Sequence, residues 1–496
     1  MRAARWLRRT ALVAGALAPA LTPVAAGAQT AANAGTAYGL VAPAPPGFDR
    51  AAAQRGTETL LTHLIGLDTQ NPPGHELLVA RYLDSLLAPL PGVETTIVEI
   101  GGGRAHFVAR LRAPRPSAKP VLIMAHMDVV GADTSKWKSP PFKATVRGGY
   151  LYGRGAIDDK GMLSAAVTAF EMLARRRDRL DRDVILLGTA SEEGGDVGIA
   201  WLLQRRADLV NQAEFALNEG GRVRVEGGRV STVDIQTTEK VYYAVTCTAH
   251  GPSGHGSVPL PDNALAALAR AVARIHAWRP PVRLTETTRL YFGQLATIEP
   301  DTAVRAAMRT VATASDSAAI DRAAGVLSQN PLYNAVLRTG AALTLIHGGI
   351  RENVIPSEGK ATFNVRIIPG EDIVAITRAI QHAASEPEVT CALDYPPAKA
   401  PPPSPVGTAL YRAMERQAKV MAPNALVIPF LSTGATDGKD LRAIGIPTYG
   451  ILPMPLPLED ELRMHGDNER VPVPALGWGT EYLYRVLRDV AERGAS

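Results

Sequence analysis

The chain of 496 residues holds only two cysteines, Cys247 and Cys391. Two thiols in so long a sequence exclude a disulfide framework, and they do not have zinc-finger spacing. Both fall in segments of strand character, which leaves buried free thiols or one bridge; free structural thiols are the favoured reading. A strong charge of either sign is also missing. The formal net charge is +5, but Arg2, Arg5, Arg8 and Arg9 lie in the first 28 residues, where there is no acid, so the rest of the chain carries +1. Nothing in that balance asks for nucleic acid or an anionic membrane as partner. The leading apolar run is too short and too broken by proline to span a bilayer. Neither Ser253 nor Ser257 sits in a G-x-S-x-G elbow, which argues against a serine hydrolase built with His255. The turn "GRG" does not extend to G-x-G-x-x-G, so there is no nucleotide-binding case.

What is present begins with "MRAARWLRRTALVAGALAPALTPVAAGAQT". A basic start, an Ala/Leu/Val run and the small residues Ala26-Gly27-Ala28 predict a signal peptide over residues 1–28 and export to the periplasm or the medium. The Arg8-Arg9 pair raises the twin-arginine route. Beyond a Pro/Ala-rich leader, strands and helices alternate. "VLIMAH" (121–126) is the continuous apolar run of a buried parallel strand. A helix over 161–176 follows, with Met162, Ala166, Phe170 and Leu173 at helical spacing. A strand (183–193), a helix (197–210) and a strand (214–220) continue the pattern, which predicts an α/β fold with a mostly parallel, helix-covered sheet. From residue 239 the order becomes β-α-β-β-α-β, interrupted by a Pro-, Thr- and Ala-rich insertion over roughly 280–340. That order predicts a smaller two-layer α+β domain, ferredoxin-like and inserted into the first. After the linker "PPAKAPPPSP", residues 430–453 resume strand–helix–strand and return to the first sheet. The expected division is 48–238 and 397–496 for the main domain and 239–396 for the insertion.

"LYGRGAIDDKGM" (151–162) places Asp158 and Asp159 side by side before a helix. Acids in a first turn complement the helix dipole, which is the plain explanation. Two adjacent carboxylates in a dry site, however, need positive charge beside them. His126 and Asp128 stand at the end of the strand 121–126, Glu192 and Glu193 at the end of the next, and Glu219 at the end of the third. Strand ends are where open α/β sheets collect ligands. His465 adds an imidazole from the resumed sheet. Each has a dull reading alone; together they predict a metal cluster, and two divalent cations supply the missing charge. Imidazole with carboxylate suits zinc, with manganese or cobalt as substitutes.

The stretches "HMDVV", "GRGAIDDKG", "SEEGG", "NEGG", "GPSGHGS", "ENVIP" and "MHGDNERV" resemble the M20 zinc peptidases over nearly all of the mature chain. The secreted Gly-X carboxypeptidase and N-acyl-amino-acid hydrolase branch is the most similar. The resemblance implies two zinc ions per subunit, with Asp158 bridging them through a cis Asp158–Asp159 peptide. His126 and Glu219 would complete one site, Glu193 and His465 the other. It implies Asp128 as the acid that orients His126, and Glu192 as general base. The inserted domain would be a lid and homodimerisation domain. Its His255 would reach a neighbouring subunit's site, Asn353 would seat the substrate, and Arg366 would pair with the substrate carboxylate. His250 reads as structural. Lys439 stands where many relatives carry arginine, and lysine does not match arginine's bidentate grip. The expected substrates are small peptides, or alternatively N-acyl amino acids; the reading of a different class is a binding protein that has lost its chemistry.

Overall fold

The computed structural model describes residues 37–195, 197–397 and 400–494, so the signal peptide expected over 1–28 lies outside the described residues. The first half of the chain lays down β1 (Val93–Gly101), β2 (Arg104–Leu111), β3 (Val121–His126), β4 (Val184–Thr189), β5 (Phe215–Asn218), β6 (Arg222–Glu226) and β7 (Arg229–Glu239). β3 and β4 are buried at every position. The two-residue period of a strand sends their side chains to opposite layers. Val121, Ile123 and Ala125 pack with the helices Arg50–Gly66, Lys160–Ala174 and Val473–Ala491. Leu122 and Met124 pack with Ile199–Arg206 and Gly438–Ala443 on the other side. This explains why these strands read as unbroken apolar runs. Truncating Ile123 to alanine would cost roughly 2–5 kcal/mol.

The chain leaves this sheet at Glu239 and enters a second one at Val241. β8 (Val241–His250), β9 (Gly340–Gly348), β10 (Glu358–Ile367) and β11 (Val389–Leu393) make four strands in the order β9-β10-β8-β11. All neighbours are antiparallel. Helices Ala264–Ala277 and Ile373–Ala384 cover one face, where Val245, Cys247, Phe363 and Val365 point. Asn364 and Arg366 alternate onto the other face, which is only partly covered.

The reading of Cys247 and Cys391 as free structural thiols is overturned. The antiparallel register sets the two residues directly opposite each other, and their sulfurs are bonded at 2.06 Å. The pairing is made by register between β8 and β11, 144 residues apart, which spacing alone does not reveal.

β12 (Leu426–Ser432), β13 (Thr448–Gly450) and β14 (Pro455–Leu456) return to the large sheet. Among the described residues it has ten strands, ordered β1-β2-β4-β3-β5-β13-β7-β6-β14 with β12 beside β7. Its centre, β4-β3-β5-β13, is parallel, and β1, β2, β6 and β7 add antiparallel pairs.

The Pro-, Thr- and Ala-rich insertion is helical: Glu286–Leu295, Thr302–Thr313, Ser317–Leu327 and Pro331–Leu337. Each helix starts at a side chain that accepts a backbone N–H, namely Thr285, Asp301, Asp316 and Asn330. Their apolar faces pack on Ile428, Phe430 and Leu431 of β12 and on Ile368.

Candidate active site

Because β3, β4 and β5 are parallel, their carboxyl ends lie on one edge of the sheet. β3 delivers His126 there, the loop after β4 delivers Glu192 and Glu193, and β5 delivers Glu219. Asp158 and Asp159 enter the same edge ahead of the helix Lys160–Ala174. The plain explanation for this acid pair fails: Asp159 occupies the N-cap position but its side chain makes no capping bond. Neither of its buried carboxylate oxygens accepts a hydrogen bond of normal geometry. The Asp158–Asp159 peptide is cis.

His126 Nε2 lies 2.8 Å from Asp158 Oδ1, and His465 Nε2 lies 3.0 Å from Asp158 Oδ2. His465 Nε2 is also 2.9 Å from Glu193 Oε1. Asp158 thus turns one oxygen to each imidazole. Donor atoms of His126, Asp158 and Glu193 converge within 4.8 Å of one another, and so do those of His126, Glu192 and Glu219. Six of the eight residues singled out at the strand ends and in the "DD" and "MHGD" stretches, His126, Asp158, Glu192, Glu193, Glu219 and His465, therefore meet at one place.

The charges there are out of balance. Burial, then the neighbouring Glu219, pushes Glu192 well above the usual carboxylate range. Burial, then Asp158 and Asp159, does the same to Glu219. Burial also opposes ionisation of Asp158, but its bonds to His126 and His465 outweigh that and hold it far below. Bonds to Asp158 and Glu193 push His465 up to about 10. Protons shared among acids and imidazoles leave a surplus of carboxylate that two imidazoles cannot neutralise. Divalent cations would, and the donor chemistry, imidazole nitrogen with carboxylate oxygen, fits zinc, cobalt or manganese.

Asp128 is buried beneath this cluster. Its carboxylate accepts the backbone N–H groups of Glu192 and Glu193, each at 3.1 Å, and the Asn71 amide at 2.8 Å. His126 Nδ1 is 2.9 Å from the Asp128 carbonyl and 3.5 Å from its carboxylate. Asp128 so fixes both the ring and the loop after β4. Asn71 was not legible as a site residue, since nothing in its local sequence marks it.

A second support was missed although it lies inside quoted motifs. Arg154 and Glu469 form a fully buried pair at 2.7 Å. Glu469 accepts backbone N–H groups from Ile157 at 2.7 Å and Asp158 at 3.2 Å, while Arg154 donates to the His465 carbonyl at 3.2 Å. One ion pair ties the loop of Asp158 to the loop of His465. Its partners are 315 residues apart, and only the fold brings them together.

The small sheet handles its expected site residues differently. His255 is exposed and pairs with Val354 in a short antiparallel ribbon, and the Asn353 carbonyl accepts the Gly256 N–H at 2.8 Å. These two are neighbours. Arg366 stands apart, its Nε donating to Asn364 at 3.0 Å and its guanidinium 4.9 Å from the Tyr242 ring centre. Among the described residues, no hydrogen bond or ion pair joins these three to the acid–imidazole cluster. The exposed His250 ring lies 4.0 Å from Glu358, and its backbone N–H donates to the Glu388 carbonyl at 3.1 Å. Lys439 pairs with Asp440 at 3.1 Å, and Arg442 is buried against Glu239 at 3.2 Å, so Arg442 is already committed.

Residues 122–489 match the model of peptidase family M20/M25/M40. Over 386 residues the chain is 28% identical to the human N-fatty-acyl-amino acid synthase/hydrolase PM20D1, covering 75% of this chain and 74% of that one. It is 24% identical over 385 residues to mouse aminoacylase-1, covering 77% and 82%. Among solved structures, the M20 family metallo-carboxypeptidase Sso-CP2 from Sulfolobus solfataricus superposes with a TM-score of 0.64 at 20% identity, covering 87% of this chain and 98% of that one. Human carnosine dipeptidase 1 gives 0.60 at 17% identity, covering 89% and 97%.

Proposed function

The chain belongs to peptidase family M20/M25/M40 and is a hydrolase, and we propose that it cleaves, with two zinc ions, the amide bond before an amino acid bearing a free carboxylate. The observation that carries this reading is the convergence of His126, Asp158, Glu192, Glu193, Glu219 and His465 with more carboxylate than their own protons can balance. Asp158 would serve both ions, His126 and Glu219 one of them, and Glu193 and His465 the other; cobalt or manganese would substitute. Bound there, the metal supplies Lewis acidity, which polarises a carbonyl and lowers the pKa of water.

The chain's own residues do the rest. Glu192 takes the proton of the attacking water and returns it to the departing nitrogen, a role that suits a carboxylate held beside the cluster by the loop that Asp128 anchors. Asp128 keeps His126 oriented and the Glu192 loop in place. Arg366 binds the substrate carboxylate and Asn353 seats the amide. His255, exposed and joined to its own cluster by no hydrogen bond or ion pair among the described residues, would reach the site of a second copy and stabilise the oxyanion. Homodimerisation through the small sheet has a physical basis in β9, an edge strand that exposes Leu343, Leu345 and Ile346.

Small peptides are the leading substrates. The likeness to an N-fatty-acyl-amino acid hydrolase and to aminoacylase-1 favours N-acyl amino acids as a second reading, and both classes present an amide beside a free carboxylate. A binding protein without chemistry is disfavoured because every ligand position and Glu192 hold competent side chains. Export remains the reading for location, and the Cys247–Cys391 bridge is in keeping with an oxidising compartment. Among the described residues no helix is long and apolar enough to cross a membrane.

The test is hydrolysis of Gly-X dipeptides and N-acyl amino acids by the purified mature protein. Chelation should abolish turnover and zinc should restore it. Undiminished activity in a rigorously metal-free preparation would overturn the proposal.

A further inference from the structure

Where the small sheet meets the helical insertion there is a cavity of about 400 Å³. Its wall carries Lys240, Arg279, Arg338 and Arg366 and contains no aspartate or glutamate. Among the described residues none of the four forms an ion pair. Their hydrogen bonds go to neutral acceptors instead. Lys240 donates to the Arg338 carbonyl, Arg338 to the Pro280 carbonyl and the Asn334 amide oxygen, and Arg279 to carbonyls of its own turn. Nη1 of Arg366 is buried and donates to nothing.

The cations fall into two pairs. Arg338 is held below its usual range by burial, against the opposing pull of Asp321, with Arg279 adding to the lowering. Lys240 is pushed down to about 8 by burial, against the opposing pull of Glu371, with Arg366 adding to the lowering. Four like charges around one recess repel each other, and a site with that surplus is stabilised by a ligand of opposite charge. A single carboxylate on Arg366 would answer one pair and leave Arg338 and Arg279 facing the cavity with no anion in its wall. Trp278, in the same wall, offers an apolar surface for a short methylene chain between two anionic ends.

We propose that this cavity is a subsite for a dicarboxylate amino acid, aspartate or glutamate, whose α-carboxylate pairs with Arg366 and whose side-chain carboxylate pairs with Arg338 and Arg279. The inference rests on the proposed function for the Arg366 contact and narrows its substrate class to peptides or N-acyl compounds ending in an acidic residue. Guanidinium groups make the bidentate contacts that carboxylates accept best.

The experiment is calorimetric titration of the mature protein with glutamate, glutamine and inorganic phosphate, beside hydrolysis of N-acetyl-glutamate and N-acetyl-glutamine. Glutamate should bind roughly tenfold or more tightly than glutamine. Arg338→Met and Arg279→Met should each erase most of that ratio; the second lies at an exposed position and guards against a folding defect in the first. Phosphate should fail to displace glutamate. Equal binding of glutamate and glutamine, a preference that survives both substitutions, or displacement by phosphate would each overturn the subsite. Equal hydrolysis of the two N-acetyl substrates would overturn the subsite and leave the hydrolase standing. No hydrolysis of either, with glutamate still preferred in binding, would do the reverse.

Discussion

At the carboxyl ends of β3, β4 and β5, Asp158, Glu192 and Glu219 are buried or nearly so, and backbone N–H groups, Asn71 and the Arg154–Glu469 pair hold their loops from below. In and beside the short ribbon, His255 and Asn353 are exposed, and on the small sheet Arg366 has a buried nitrogen with no hydrogen-bond partner among the described residues. The first region is negative, mostly buried with His465 as its exposed member, and held from several sides. The second is positive, half-open and lightly held. The difference separates two tasks. Chemistry needs donors fixed to fractions of an ångström, which costs conformational freedom and surplus charge. Recognition needs charge that stays available until a ligand arrives.

That contrast is sharpest at Glu192, where the largest effect is expected. Glu192→Gln keeps the side chain's size but removes the proton acceptor, and turnover should fall by roughly 10²–10⁴-fold with metal content unchanged. Glu193→Gln should instead lower metal content. Identical behaviour of the two variants would erase the division of roles within "SEE".

Next in size is the support beneath the cluster. Arg154→Met strands a buried Glu469 carboxylate and should destabilise the fold by roughly 3–5 kcal/mol, read by denaturant unfolding. Glu469→Gln keeps the shape and should lower metal affinity by roughly 10–100-fold. If metal affinity is untouched in Glu469→Gln, the link between the Asp158 and His465 loops is not a positioning device.

On the lightly held side the effects should be smaller and show in substrate binding. Amidating the substrate's carboxylate should cost the native protein roughly 1.5–3 kcal/mol in kcat/KM. Arg366→Ala should already be impaired and lose little more on amidation. Fully additive losses would show that Arg366 does not read the carboxylate.

The smallest signal concerns assembly. His255→Ala and Glu192→Gln proteins, each nearly inactive, should regain up to about a quarter of native activity when refolded together, because random mixing makes half the dimers mixed and each holds one intact site. A fully active monomer would contradict a shared site.

The same two regions differ in how far the sequence revealed them. The strand-end acids and histidines were legible because parallel strands bury both faces, so a polar residue closing an apolar run stands out. The β-α-β-β-α-β order was legible from its alternation of period. What escaped depends on distance. Register made the Cys247–Cys391 bridge, and folding alone brought Asn71 to Asp128 and Arg154 to Glu469. The helical insertion escaped for another reason. Its composition by itself assigns no elements, yet the capping residues Thr285, Asp301, Asp316 and Asn330, and Val304, Ala307, Met308 and Val311 at helical spacing, carried the signal. The cationic cavity joins residues of two separate helices and two strands, and no local pattern encodes it.

The central claim is that the surplus carboxylate at the sheet edge exists to hold metal. Elemental analysis of protein stripped by chelator and then dialysed against zinc tests it most directly. The native chain should retain about two zinc ions, and Glu193→Gln and His465→Ala should each retain fewer under the same dialysis. A native chain that retains none, or variants that retain as much as the native chain, would contradict the account.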